Sequence, residues 1–451
     1  MSQSSKKAAA GPPRGQAAAR RVLRPAQVFV QTETAGGLVL LAATAVALLW
    51  ANSPWDGAYA DLWHATVTFE VGRIAVHEDL GHFVNDGLMA IFFFVIGLEI
   101  KRELVHGELA SPRRAALPVA AALGGMVVPA GIYAAFNAGG DGSAGWGIPM
   151  ATDVAFALGA LALAGRSAPF GLKIMLLALA VVDDLGAIMV IVVFYTDSVA
   201  WDAVGWALLF TGALAALGFF RMGHPVVWVA LAVALWVAVL ESGVHATLAG
   251  VIVAALVPAR ADRSVAEADR EVQRLLAEAR AARREGDFEG DEAALDRLGQ
   301  VASSAESPLD RLEHAVHPWV SFLIVPLFAL ANAGVVIDRE SIEAATGSAV
   351  TAGVAFGLVF GKPAGIFLFA WVAVRLGWAS LPRGVGFAHV GAMGVLAGIG
   401  FTVSLFITEL AFEGEGLVSE AKIGILGASL VAAVAGSLAV RAVGSRNAAA
   451  G

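Results

Sequence analysis

The sequence predicts an all-α polytopic membrane protein, and three observations carry that prediction. Of its 451 residues, 58% are hydrophobic and only 15% charged, and the mean hydropathy is +0.73, far outside the range of a soluble domain. Apolar runs of about 20 residues recur along the whole chain, each able to cross ~30 Å of hydrocarbon at 1.5 Å per residue. Two adjacent aspartates, Asp183 and Asp184, stand in the middle of one such run, LKIMLLALAVVDDLGAIMVIVVFY. A carboxylate at the centre of a membrane helix costs about 2.5–3.5 kcal/mol on insertion scales, so a pair marks an ion or proton pathway before it marks packing.

Hydropathy places spans near 32–50, 83–104, 115–136, 147–164, 171–195, 201–220, 225–241, 243–258, 315–336, 350–374, 385–410 and 419–441, twelve in all. The organisation is a tail over 1–30, helices 1–8 within 31–258, a charged insertion over 259–312, helices 9–12 within 313–441 and a tail over 442–451. Lys and Arg placement sets the orientation. With the N-terminus inside, the cytoplasmic side collects the first tail, Lys101, Arg102, Arg113, Arg114, Arg166, Lys173, Arg221, the insertion, Arg375, Arg383, Arg441 and Arg446. The outer loops keep little more than Arg73 and Arg339, so both termini are expected in the cytoplasm. The first thirty residues are basic but lack an apolar core, which fits a cytoplasmic tail and not a cleaved signal.

The chain has no cysteine, which excludes disulfides, thiolate metal sites and cysteine nucleophiles. Its net charge of −8 lies mostly in tails and loops, and nothing calls for a nucleic acid partner or a cofactor. Residues 259–311 are rich in Ala, Glu and Arg and read as a solvated helix broken at Gly286 and Gly290 before a shorter one. An inserted cytoplasmic loop is the favoured reading, with a regulatory or partner-binding element as the alternative.

The chemistry gathers in two triplets of spans. GWGIPMATDVAFALGALALAG carries Thr152 and Asp153 among glycines and Pro149, which suits a helix that unwinds at mid-membrane around a polar cavity. The next span holds Asp183 and Asp184. In the second triplet, Lys362 lies at mid-span directly before Pro363, which loosens the local ladder. The span after it, GAMGVLAGIGFTVSLFI, is expected to break around Gly398 and Gly400. Glycines also serve close helix packing, but two interrupted spans in corresponding positions of two halves point to a transport site between inverted-topology repeats.

The runs NDGLMAIFFFVIGLEIKREL, ATDVAFALG, LALAVVDDLGAI, ESGVHATLAGVIV, RLEHAVHPW, GKPAGI and GIGFTVSLFI, in this order, closely resemble the bacterial NhaA sodium/proton antiporters, themselves an example of inverted-repeat architecture. The resemblance extends from about residue 30 to 440. It implies twelve helices, two crossed discontinuous helices (147–164 and 385–410), exchange of Na⁺ or Li⁺ for H⁺, and a homodimer in the bacterial inner membrane, serving pH and sodium homeostasis. By position, Asp184 would be the principal cation ligand, with Asp183 beside it in proton coupling and Lys362 pairing with Asp183 when protonated. Thr152 and Asp153 would line the site. Glu99, Arg102, Glu103, His245, Glu313, His314 and His317 resemble positions linked to pH control at the cytoplasmic side. The long insertion and Asp310, where the family often has a basic residue before RLEH, depart from the pattern.

Elementary chemistry supports the aspartates independently. A hard cation such as Na⁺ prefers oxygen ligands. Burial disfavours an ionised carboxylate, and two neighbouring acids resist being ionised together, so protons and Na⁺ compete for the same oxygens. A buried lysine releases its proton readily unless an anion holds it. If the Asp183–Lys362 pair breaks when Na⁺ arrives, a second proton leaves and exchange becomes electrogenic.

The other candidates have plainer readings. The charged run Glu99–Glu103 marks an interfacial helix end, His245 is placed to bond between helices, and Asn85 with Asp86 is expected to cap a span. His314 and His317 lie one turn apart but lack a third zinc ligand. An intramembrane aspartyl protease needs facing carboxylates, whereas neighbours on one helix point ~100° apart. A channel would need an open polar pore, and a solute symporter a roomier polar pocket; neither is evident.

Overall fold

The structure, a computed structural model, describes residues 35–71, 74–163, 169–196, 199–220, 224–261, 265–286 and 288–450. The expectations for the tail 1–30 and for Arg73, Arg166 and Arg221 lie outside the described residues. Each long apolar run becomes a helix, with a capping or breaking residue where it stops. Helix α1 (Ala35–Ala51) ends where the Asn52 amide donates to Leu48 O at 2.8 Å, then turns by 116° into α2 (Asp56–Trp63). An antiparallel hairpin follows, β1 (Thr66–Val71) with β2 (Ile74–Asp79), the only strands among the described residues.

Helix α3 (Leu80–Val105) starts earlier than expected because Asp79 caps it, accepting from His82 N at 2.6 Å. Asn85 and Asp86 are therefore not caps. They lie one turn inside, where Asn85 exchanges amide hydrogen bonds with Asn332, the shorter at 2.8 Å. Next come α4 (Pro112–Asn137), a 3₁₀ segment (Asp141–Met150), α5 (Val154–Leu163), α6 (Phe170–Phe194), α7 (Trp201–Phe220) and α8 (Pro225–Glu241). The span expected at 243–258 shortens to α9 (Leu248–Leu256), because Ser242–Thr247 forms a turn in which Gly243 adopts φ +77°.

The insertion folds as a helical hairpin, α10 (Val265–Glu285) and α11 (Phe288–Ala305), packed through Ala268, Val272, Leu275, Leu298 and Val301. It breaks once, at Gly286 (φ +74°), while Gly290 continues the second helix, so the expected second break does not occur. Ser307 then caps α12 (Pro308–Asn332), followed by α13 (Arg339–Gly347), α14 (Ala349–Arg375), α15 (Phe387–Ala397), α16 (Phe401–Ala411) and α17 (Glu415–Ala450). Asp310 takes part in that cap. Ser307 Oγ accepts from Asp310 N at 3.1 Å and donates to Asp310 Oδ2 at 2.6 Å, a closed helix-start motif.

Each of the twelve expected spans carries helix within its described residues. Among the described residues seven helices are individually long and apolar enough to cross a membrane, or up to ten spans when each bent pair is taken as one. Two interrupted helices share a geometry: Asp141–Met150 bends 47° into α5, and α15 bends 48° into α16. Small residues bring the frame around them together, as membrane packing favours. At the α4–α14 contact a β-carbon on Gly124 would lie 2.2 Å from Gly365 O, and one on Gly365 would lie 2.0 Å from Gly124 O. That backbone contact seats Lys362, one turn earlier on α14, deep in the bundle. Gly250 packs equally close to Ala90 O, fixing α9 against α3.

Candidate ion-binding site

The two helix breaks cross and satisfy one another's free backbone groups. Asp153 N donates to Ile399 O at 2.7 Å, and Thr152 Oγ1 donates to Ala397 O at 3.0 Å. The Asp153 carboxylate caps two helices at once. Oδ1 accepts from Phe156 N at 2.9 Å at the start of α5, and Oδ2 accepts from Thr402 N at 3.2 Å and Thr402 Oγ1 at 2.7 Å at the start of α16. Two helix N-termini favour a negative charge at that point. Ser404 Oγ adds a bond to Ile148 O at 2.7 Å.

Facing this crossing, α6 presents its aspartates in different directions, as neighbours on a helix must. Asp184 lines a cavity of ≈ 70 Å³ together with Thr152, Asp153, Thr402, Glu99 and His317. A single water needs ~10–15 Å³, so a cation can enter with part of its hydration shell. Asp183 does not line the cavity. It turns to Lys362, with Oδ2 at 2.7 Å from Nζ, and both side chains are buried. The same ammonium donates to Met150 O, the last carbonyl of the 3₁₀ half-helix. The other oxygen, Asp183 Oδ1, is buried with no hydrogen-bond partner. Asp184 thus faces the cavity, while Lys362 and Asp183 form a separate buried pair behind it.

The charged candidates divide by location. Glu99 and His317 line the cavity mouth with Glu99 Oε1 at 3.9 Å from His317 Nε2, and Arg102 pairs with the buried Glu313 beside them. Glu103 instead accepts from Glu108 N at 2.9 Å, and the exposed His314 pairs with Glu306 at 3.0 Å. His245 is at the opposite end, with Nε2 against Tyr195 O at the end of α6. Residue spacing did not single out Thr402 or Tyr195. Thr402 had a signal: it is the first hydroxyl after the glycines of the second break. Among the described residues no three His, Asp or Glu converge as metal ligands, and apart from the His317 imidazole the polar side chains lining the cavity are carboxylates and hydroxyls, suited to a hard cation.

The sequence matches the family described as Na+/H+ antiporter 1 over residues 27–440. The chain belongs to this family. Its NhaA relatives include the Na(+)/H(+) antiporter NhaA 2 of Sorangium cellulosum (strain So ce56), 46% identical over 420 residues that cover 92% of this chain and 89% of the relative. The Na(+)/H(+) antiporter NhaA of Syntrophobacter fumaroxidans is 45% identical, covering 92% and 90%. That of Oleidesulfovibrio alaskensis is 44% identical, covering 93% and 94%. Membership of the NhaA family agrees with the crossed helix breaks and the aspartates beside them.

Proposed function

We propose that this NhaA-family chain exports Na⁺ or Li⁺ in exchange for H⁺ across the bacterial inner membrane by alternating access. The observation that carries this reading is the sharing of one small cavity by the carboxylates of Asp184 and Asp153, with the Lys362–Asp183 pair buried directly behind it. Sodium entering the cavity displaces a proton from Asp184. The cation draws the neighbouring Asp183 away from Lys362, and the lysine gives up its proton. Reloading from the outer side returns a proton to Asp184 and one to Lys362.

Two protons inward for one cation outward moves net positive charge inward, so exchange is electrogenic. An interior-negative potential then contributes about 2.3 kcal/mol per charge per 100 mV. Glu99, His317, Arg102 and Glu313 at the cavity mouth form the pH-responsive cluster. Lys/Arg placement puts this end and both termini in the cytoplasm. The chain pairs as a homodimer, which fits a two-stranded hairpin whose outer edges no other described strand covers. No cofactor and no covalent chemistry are needed.

Everted vesicles from cells lacking their own antiporters, with an acid interior reported by a quenched dye, test the reading. Na⁺ and Li⁺ should relieve the quenching, and the rate should rise with membrane potential. No response to any alkali cation between pH 6.5 and 9 contradicts exchange; equal rates at different potentials contradict electrogenicity alone.

A further inference from the structure

The half-helix Asp141–Met150 that precedes the first break is a 3₁₀ helix of ten residues. Runs beyond three or four residues are uncommon because the bond geometry is poor, so outside partners must help hold such a segment. One of them reaches into its ladder. The Tyr195 hydroxyl donates to Ala144 O at 2.8 Å and accepts from Gly147 N at 3.3 Å. Those two groups are the i and i+3 partners of a single 3₁₀ turn. Gly147 leaves the room, since a β-carbon there would lie 2.8 Å from the tyrosine oxygen. Trp146 stacks on the same ring, with centroids 6.5 Å apart.

Tyr195 directly follows α6, the helix that carries Asp183 and Asp184, so polar contacts join helix and half-helix at two points, with Trp146 packed edge-on against Phe194 of α6 beside the second, ring centroids 4.9 Å apart. Near the middle of the bundle the Lys362 ammonium touches both Asp183 and Met150 O. At the outer end the Tyr195 hydroxyl joins α6 to Ala144 and Gly147. The first link is ionisable and opens in the exchange cycle; the second is neutral and persists. Tyr133 Oη to Gly142 O and Ser404 Oγ to Ile148 O hold the half-helix to α4 and α16, not to α6. Only Ala151 separates Met150 from Thr152 and Asp153 on the cavity wall, so any turn of the half-helix alters that wall.

We infer that Tyr195 is a positioning residue for cation binding: its hydroxyl is the pivot that keeps the half-helix in register with the aspartate helix when the Lys362 link opens. This rests on the exchange reading above. Tyr195→Phe removes the pivot and spares the ring. Its half-maximal Na⁺ and Li⁺ concentrations for exchange should rise about fivefold, the size of one neutral hydrogen bond, at an unchanged maximal rate and melting temperature. Gly147→Ala, which pushes a methyl against the phenol oxygen, should give a comparable rise. The double variant should fall well short of the combined single effects, because both changes act on the same contact and the phenylalanine leaves the methyl only ring carbons at 3.3 and 3.4 Å to meet.

Dequenching titrations of the full-length protein in everted vesicles, with melting temperatures of the purified variants, decide the matter. Wild-type cation dependence in Tyr195→Phe overturns the inference, as does a slower rate that follows a lower melting temperature at unchanged half-maximal concentration. Additive effects in the double variant also overturn it. If the wild type gives no cation response, the exchange reading falls first and the pivot with it.

Discussion

Lys362 Nζ lies 2.7 Å from Asp183 Oδ2, with 0% and 1% of the two side chains exposed. The pair is seated by backbone packing one turn away, where Gly124 and Gly365 admit no β-carbon. Two buried charges repay their desolvation only through each other, so removing one partner strands the other. Asp183→Leu or Lys362→Met alone should each lower stability by about 3–5 kcal/mol, whereas the double replacement should return to the wild-type value or above. Thermal unfolding in detergent measures this. A double variant as unstable as the singles would mean that the pair is not the source of the loss.

Asp153 and Asp184 share a cavity but not a task. Asp153 spends both oxygens capping α5 and α16, and a lost cap costs ~1 kcal/mol. Asp153→Ala should therefore lose about 2 kcal/mol of stability. Asp184→Asn should keep its stability and abolish exchange. Stability and transport assayed on both variants separate the roles; the reverse pattern would exchange them.

His317 and Glu99 face each other at 3.9 Å across the cavity mouth, joining α12 to α3 beside the Arg102–Glu313 pair. A protonated imidazole attracts Glu99, so acid draws α3 and α12 together and alkali loosens them. Replacing His317 with Gln removes the acid-dependent attraction. The half-activation of exchange should move to lower pH. An unchanged profile across pH 6.5–9 would remove His317 from the response.

The insertion leaves and re-enters the bundle at nearly one point, with Leu309 N bonded to Pro258 O at 3.2 Å. Its two helices pack on each other through their own small core. Replacing residues 262–305 with a short Gly/Ser linker, while keeping the Ser307 cap and the Glu306–His314 pair, should leave folding and exchange intact. Loss of cation-dependent dequenching in a well-folded variant would give the hairpin a direct part in transport.

The sequence announces what hydropathy and backbone chemistry encode locally. Most apolar runs end within a few residues of the helix ends, although α12 begins at Pro308 and α17 runs on to Ala450, well beyond the runs expected at 315–336 and 419–441. Thr152–Asp153 and Gly398–Gly400 lie at the two breaks. Asp184 and Lys362 stand out because a charge inside an apolar run has no packing explanation. What escapes is set by contacts between distant residues. The hydroxyl of Tyr195 looks like an interfacial aromatic until it meets Ala144, 51 positions away. The divergence of Asp183 from Asp184 follows from helix geometry; that Asp183 is the one meeting Lys362 comes from the family resemblance alone, because it depends on how α14 is seated. Glu103, His314 and His245 meet Glu108, Glu306 and Tyr195, contacts that their spacing in the sequence does not announce.

In the proposed exchange a proton and a sodium ion compete for Asp184. Purified protein in weakly buffered detergent solution, titrated with NaCl or LiCl near pH 8 while a pH electrode records the medium, tests this competition. Proton release should saturate with the cation, be absent with KCl and choline chloride, and disappear in Asp184→Asn. Saturable proton release that persists in Asp184→Asn, or cation binding by the wild type without any proton release, would contradict it.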